Sequence, residues 1–164
     1  MIRVTVWNEG VHEKLSKEVA GIYPAGIHGC IKNFLSTQDD IEVTTATLTQ
    51  RKCGLPDEVL ENTDVLIWWG HLAHGKVPDK LAEKICARVQ AGMGFIALHS
   101  AHMSKPFTRL MGTSCTLLWR EGDRERVWVV NPAHPITKKM FLQALKLRTR
   151  KCTASALIFP SRTN

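Results

Sequence analysis

The chain has 164 residues, 44% of them hydrophobic, and a formal net charge of +7. This length suits a single domain with its own core, and no apolar run is long enough to span a bilayer. Residues 1–137 contain fifteen basic and fifteen acidic residues, so the positive excess lies in the last segment, where seven basic residues meet no acidic one. This distribution is not a basic face, and we therefore expect neither a nucleic-acid partner nor a membrane partner.

The N-terminus and the cysteines indicate a cytoplasmic protein. Residues 2–7 are typical of a strand and lack the long apolar stretch and the small-residue cleavage site of a signal peptide. The five cysteines are an odd number without a close pair, which argues against a disulfide framework and against a zinc knuckle.

The elements alternate between strand and helix along the chain. Hydrophobic patterning predicts strands at residues 3–8, 41–47, 64–69, 94–98 and 126–130, and helices at residues 26–35, 56–60, 79–90 and around 107–111. This alternation predicts an α/β fold in which helices cover both faces of a right-handed parallel sheet.

Two of the predicted strands end in the same motif, His-x-x-His. His71 and His74 follow one apolar run, and His99 and His102 follow the next. Short apolar runs bounded by glycine and polar residues are typical of buried parallel strands, and ligands bind beyond the carboxyl ends of such strands. We therefore expect the four imidazoles to converge on one crevice.

A doubled histidine motif of this kind suits a metal ion. Neutral imidazole is the usual ligand of zinc and similar divalent metals, and a catalytic site needs about three protein ligands. His71, His74 and His99 are the predicted ligands, and no nucleotide-binding motif is evident. The alternative is that these imidazoles are ordinary surface groups held by hydrogen bonds.

Ser100 lies between His99 and Ala101, directly after a predicted strand. A serine in this position, activated by a histidine, could serve as a nucleophile. His99, Ser100 and Glu9 are therefore the candidate catalytic residues. Alternatively, Ser100 caps the segment that follows it, which is a common use of serine after a strand.

Further candidates at the ends of the strands suit a sugar ligand. Trp7 or Trp69 could form an apolar platform for a sugar ring, with Asn8 and Glu9 taking its hydroxyl groups. Trp68 and Trp69 are consecutive, so they point to opposite faces of a strand. Ordinary core packing is the competing explanation for the tryptophans.

Other histidines belong to the same carboxyl edge. His28 and His12, together with Glu9, are expected to lie along this edge and to supply a ligand or a base. His28 and His102 complete the predicted substrate-binding residues.

Several segments together resemble the ThuA-like, trehalose-utilisation family. They are VWNE at 6–9, YPAGIHG at 23–29, residues 64–74, LHS at 98–100, LMGTSC at 110–115, WRE at 119–121 and NPAHP at 131–135. The resemblance implies a flavodoxin-like three-layer sandwich, similar to class I glutamine amidotransferases. Glutaminase activity is not expected, because Ser100 stands where those enzymes carry a cysteine nucleophile.

The resemblance implies a role in the metabolism of trehalose and related disaccharides. The first hypothesis is a metal-assisted enzyme that acts on a disaccharide or a keto-sugar. The alternative is a non-catalytic sugar-binding or regulatory module that has kept the amidotransferase-like fold. The expected partner is a small-molecule sugar, and a homo-oligomer is compatible with the sequence.

The basic C-terminal segment departs from the family pattern. Members of the family continue with a Met-Tyr-Gly-Glu segment, and a shift of one nucleotide in a back-translation of residues 140–164 permits such a continuation. We therefore predict a partial ThuA-like domain at residues 1–138, incomplete at its C-terminus, and an aberrant, frameshift-like tail at 139–164. A genuine divergent tail is the alternative.

Overall fold

The computed structural model describes residues 1–117, 131 and 133–140. The chain divides into two compact units, Met1–Cys115 and Thr116–Asn164, which are described separately. The predicted strand at 126–130 and the predicted tail from residue 141 onward lie outside the described residues.

The first unit contains a parallel sheet of four strands in the order β2-β1-β3-β4. The strands are β1 (Ile2–Asn8), β2 (Ile41–Thr47), β3 (Val65–Trp69) and β4 (Gly94–Ala97). This order is that of the flavodoxin-like doubly wound sheet, whose topological switch point lies between β1 and β3. The α/β prediction is confirmed, and the four predicted strands within the described residues agree with the observed ones to within one residue at each end.

The helices of the described residues are short. They are α1 (His12–Leu15), α2 (Lys17–Ile22), α3 (Gly26–Leu35), α4 (Asp57–Glu61), α5 (Asp79–Gln90), α6 (Lys105–Met111) and α7 (Pro135–Met140). The bounds of α3 and α5 are those predicted. Helix α6 begins two residues before the predicted segment, because Pro106 fits the first turn of a helix.

Apolar side chains fill both faces of the sheet because successive residues of a strand point in opposite directions. One face packs against α3, and its buried residues are Val4, Val6 and Ile67. The other face packs against α5, and its buried residues include Trp7, Leu66, Trp68, Leu81 and Ile85. Helices therefore cover both faces, which gives the three layers of the sandwich.

In the second unit, the described residues form a turn and helix α7. The backbone N–H of His134 donates to the carbonyl of Asn131, and His134 Nδ1 accepts the N–H of Ile136 at 3.2 Å. Across the described parts of both units, every helix is too short or too polar to cross a membrane.

Candidate functional site: a histidine cluster at the carboxyl edge of the sheet

Glu9 joins the loops that follow β1 and β3, at the switch point of the sheet. Its side chain is only 1% exposed, and its carboxylate accepts the backbone N–H groups of Leu72 at 2.7 Å and Ala73 at 2.9 Å. Two N–H donors stabilise a buried anion that would otherwise be costly to remove from water. The loop after β3, which carries the first pair of histidines, is therefore held in place from β1.

Gly70 allows this close approach. A Cβ atom at Gly70 would lie 3.3 Å from Glu9 Oε2 and 3.4 Å from His74 Nδ1. Nothing larger than glycine therefore fits beside the carboxylate and the imidazole without displacing one of them.

The four histidines of the two motifs lie near one another. We call His71, His74, His99 and His102 the histidine cluster. The rings of His99 and His102 have centroids 6.1 Å apart. The charges of His71, His74 and His99 all oppose protonation of His102, so all three lie within electrostatic range of it.

The protonation state of the cluster follows from burial and mutual repulsion. Burial lowers the pKa of His74, and the Glu9 carboxylate only partly opposes this effect. Burial also lowers the pKa of His102, and the neighbouring imidazoles lower it further. Both rings are therefore neutral at pH 7, where an unpaired imidazole nitrogen can accept a proton.

Ser100 contacts the cluster directly. Its Oγ lies 2.5 Å from His71 Nδ1, and this is the side-chain hydrogen bond that the described residues give to His71. Ser100 makes no side-chain capping bond to the 3₁₀ turn Ala101–Met103, which rules out the capping alternative in this structure. The pair resembles the nucleophile and base of a covalent catalyst, although the described residues supply no carboxylate to the histidine.

A second polar network lies at the end of β1, beside the first turn of α3. Asn8 is fully buried, and its Nδ2 lies 2.5 Å from Glu13 Oε1 and 2.9 Å from His28 Nδ1. Glu13 Oε1 also accepts the N–H of Ile27 at 3.0 Å. Burial raises the pKa of Glu13, but these hydrogen bonds outweigh it, so the net pKa is lowered and the side chain is ionised at neutral pH.

Sequence reasoning missed Glu13. Its role depends on the backbone of Ile27, fourteen residues away, and no local motif marks that contact. The signal that could have found it is the lone acidic residue four positions after Glu9, in a segment predicted to lie on the carboxyl edge.

The tryptophans fall into two environments. Trp7 is 1% exposed, stacks on Trp68 at a centroid distance of 3.7 Å, and donates its indole N–H to the carbonyl of Cys53. Trp7 is therefore a core residue, and the prediction that it could form a platform for a sugar ring is wrong. Trp69 is 9% exposed, and its ring lies 6.1 Å from that of His12 and 6.5 Å from that of His71, beside the cluster.

The structure separates the candidate residues by exposure. His71 and His99 are exposed, and His12, His28, His74, Ser100 and His102 are half-buried. Asn8 and Glu9 are buried, and their side chains bond to protein atoms. Asn8 and Glu9 therefore act as positioning residues. They were predicted to contact the sugar or the reacting atoms directly, but their burial prevents such contacts.

Within the described residues, no group of three or more histidine, cysteine, aspartate or glutamate side chains has an arrangement that could hold a metal ion. His71 Nδ1 is also engaged by Ser100. The divalent metal at His71, His74 and His99 stays a prediction.

A separate cavity of about 470 Å³ lies beside α4, β1 and β2. Its lining includes Arg3, Thr5, Thr44 and Asn62, and none of the predicted site residues. Two of its hydroxyl groups, on Thr5 and Thr44, already hydrogen-bond to each other at 3.1 Å. The candidate residues of the described part of the chain therefore lie at the carboxyl edge and not in this cavity.

A parallel sheet in this strand order defines a doubly wound α/β domain, and its candidate site residues lie at the carboxyl edge beside the switch point. The chain belongs to the ThuA family, which is described as trehalose utilisation, and the family model matches residues 3–150. At the level of the family, this gives the chain a role in trehalose utilisation. The match continues past residue 138, the predicted end of the family-like region, and no curated protein matches the sequence significantly.

Proposed function

We propose that this protein is an enzyme that acts on a disaccharide or a keto-sugar at the histidine cluster. The observation that carries the proposal is the 2.5 Å contact between Ser100 Oγ and His71 Nδ1, at the edge of the sheet where this fold binds its ligands. Membership of a trehalose-utilisation family supports a sugar as the ligand.

The chemistry that the cluster offers is proton transfer at a hydroxyl group. An imidazole with a free nitrogen can accept the proton of Ser100 or of a sugar hydroxyl, and it can return that proton to a leaving oxygen. The lowered pKa values of His74 and His102 keep those two rings in the accepting form at neutral pH. His12 is half-buried beside His71 and offers a ring surface to the sugar, whereas Trp69 is only 9% exposed and has little ring surface left to offer.

A divalent metal such as zinc belongs to the same proposal. In the arrangement of the described residues, His71, His74 and His99 do not form a metal site, so they would have to move to hold the ion, which would polarise a carbonyl or hydroxyl oxygen of the sugar. Metal analysis of the purified protein, before and after chelation, tests this part separately. A bound metal would occupy ring nitrogens of His71, His74 and His99, so the proton transfer proposed for those rings applies to the metal-free site.

The experiment compares variants on a panel of trehalose, other disaccharides and keto-sugars. We expect His71→Ala, His99→Ala and Ser100→Ala to lower kcat/KM by about 100-fold or more, the usual effect of losing an acid–base or nucleophilic group. Thermal unfolding should change little, because His71 and His99 are exposed. Lys80→Ala, an exposed change on α5, is the control and should behave as wild type.

The second candidate function is a non-catalytic sugar-binding module. It is favoured by the lack of a carboxylate bonded to His71 within the described residues. Sugar binding measured by calorimetry that is accompanied by no turnover, and that survives all three substitutions, would establish the module and reject the enzyme.

A further inference from the structure

We propose that Asn8 and Glu13 hold His28 as the neutral tautomer with its proton on Nε2, so that His28 donates a hydrogen bond to an oxygen of the bound sugar. The inference deepens the proposed function and rests on it for the identity of the ligand. The tautomer itself follows from the geometry of the second polar network and is tested independently of activity.

The orientation of the Asn8 amide is fixed by three contacts. Asn8 Oδ1 accepts the N–H of Gly10 at 2.9 Å, while Nδ2 faces Glu13 Oε1 and His28 Nδ1. If the amide were flipped, two donors would meet at Gly10 and two acceptors would meet at Glu13. Because Asn8 is fully buried, water cannot relieve either conflict.

This orientation determines where the proton of His28 lies. An amide nitrogen has two hydrogens and no lone pair to offer, so both neighbours of Asn8 Nδ2 must be acceptors. His28 Nδ1 therefore carries no proton, and in the neutral ring the proton is on Nε2. Glu13 stabilises the arrangement because its ionised carboxylate accepts from both Asn8 and Ile27.

The backbone also fits the His28 ring closely. Gly26 has φ +74°, and a Cβ there would lie 2.6 Å from His28 Cε1 and 2.8 Å from its Nδ1. The ring thus lies against the first turn of α3. His28 is half-buried, whereas Asn8 is completely enclosed, so His28 is the member of this network that a ligand can reach.

His28 and the histidine cluster therefore have different chemical roles. With Nδ1 engaged and Nε2 protonated, neutral His28 can neither accept a proton nor bind a metal, in contrast to the prediction that it supplies a ligand or a base. It can donate to a hydroxyl or carbonyl oxygen, both of which a disaccharide or keto-sugar presents. Proton acceptance is left to the histidine cluster.

The first test is the ¹⁵N spectrum of the histidine side chains in wild-type protein at about pH 8, where an ordinary imidazole is neutral. His28 is assigned by its absence in His28→Gln. We expect the signature of a proton on Nε2. A proton on Nδ1 would overturn the proposal, and this measurement needs no variant with an altered network.

Asn8→Asp, made together with Glu13→Gln so that two carboxylates do not face each other, sharpens the test because it replaces the donor beside His28 with an acceptor. The proton of His28 should then move to Nδ1, where it can donate to the new carboxylate. Asn33→Asp, an exposed change on the same helix as His28, is the matched control and should leave the tautomer as in wild type. Glu13→Gln alone keeps an acceptor for Asn8 and should preserve the Nε2 proton even if the double variant does not fold.

The ligand arm uses calorimetry with trehalose and with the best substrate of the panel. We expect His28→Ala to weaken binding about fivefold to tenfold, the effect of one lost hydrogen bond, and His28→Gln to recover much of it through its amide N–H. Unchanged binding in His28→Ala would remove the donor role. If wild-type protein binds no sugar, the proposed function fails, whereas the ¹⁵N spectra still confirm or reject the tautomer.

Discussion

The carboxyl edge of the sheet has two halves, one after β1 and one after β3 and β4, which differ in the burial of their polar side chains. After β1, Asn8 and Glu9 are buried, and their side chains hydrogen-bond to protein atoms. After β3 and β4, His71 and His99 are exposed, and the side-chain hydrogen bond that the described residues give to His71 is the one to Ser100. The polar groups of the β1 half are therefore held by the protein itself, whereas those of the β3–β4 half are open to solvent.

Buried and exposed polar groups of this site should therefore respond differently to substitution. Buried polar groups are costly to leave unpaired, so removing one from the β1 half should destabilise the fold. Exposed imidazoles contribute little to folding, so removing them should affect the chemistry instead. Substitutions on either side of the switch point therefore test whether the two halves differ in this way.

The largest expected effect is that of Glu9→Ala. The change removes the acceptor of two backbone N–H groups, that of Ala73 at a buried contact and that of Leu72 at a partly buried one. We expect a loss of about 3 kcal/mol in the free energy of unfolding, measured by urea denaturation. Glu18→Ala, at an exposed position on α2, is the control and should change stability by less than about 0.5 kcal/mol. Equal stabilities of the two variants would show that Glu9 does not support the loop.

A smaller effect is expected for Gly70→Ala. The added methyl group would come within 3.4 Å of both Glu9 and His74, so one of them must shift. We expect a loss of about 1–2 kcal/mol, with a weaker interaction between Glu9 and the loop after β3. Gly75→Ala lies in the same loop, where a Cβ meets nothing within 4 Å, and it should be nearly neutral. An unchanged free energy of unfolding in Gly70→Ala would mean that Glu9 and His74 can shift at no cost to make room for the methyl group.

Much of the fold was accessible from the sequence because its signals are local. The apolar runs at β1 and β3 and the helical periodicity of α5 lie within single segments, and α3 and α5 have the predicted bounds. Helices α1 and α2 were not predicted, because four and six residues are too few to establish a periodic pattern.

The histidine cluster was accessible for the same reason. A polar residue directly after a buried parallel strand must emerge at the carboxyl edge, so the spacing of His71 and His99 predicts their proximity. The sequence predicted only that some histidine would activate Ser100, and it did not identify His71 as that histidine. The distance itself depends on how the two loops pack.

The network after β1 was not accessible because it depends on tertiary contacts. Glu13 is linked to the backbone of Ile27, and Trp7 is buried because its register partner on the next strand is Trp68. A position near the end of a strand says nothing about which neighbour covers the ring. Candidate residues after β1 were therefore recognised as part of the site, but their burial was not.

The smallest expected effect is a dependence of stability on pH that arises in the histidine cluster. His74 faces Glu9 and His71, and His102 faces the other three imidazoles; in both, the folded-state pKa lies below the ordinary value of 6.5. The unfolded chain therefore binds more protons as pH falls below about 6.5, so the folded state loses stability in that range. Thermal unfolding between about pH 7.5 and pH 5.5 should show a falling Tm, with a shallower fall in His102→Gln. Asn33→Gln does not titrate and should keep the wild-type slope. A wild-type slope in His102→Gln would mean that burial and repulsion in the cluster do not penalise the charged form, and the contrast between the two halves would then rest on exposure alone.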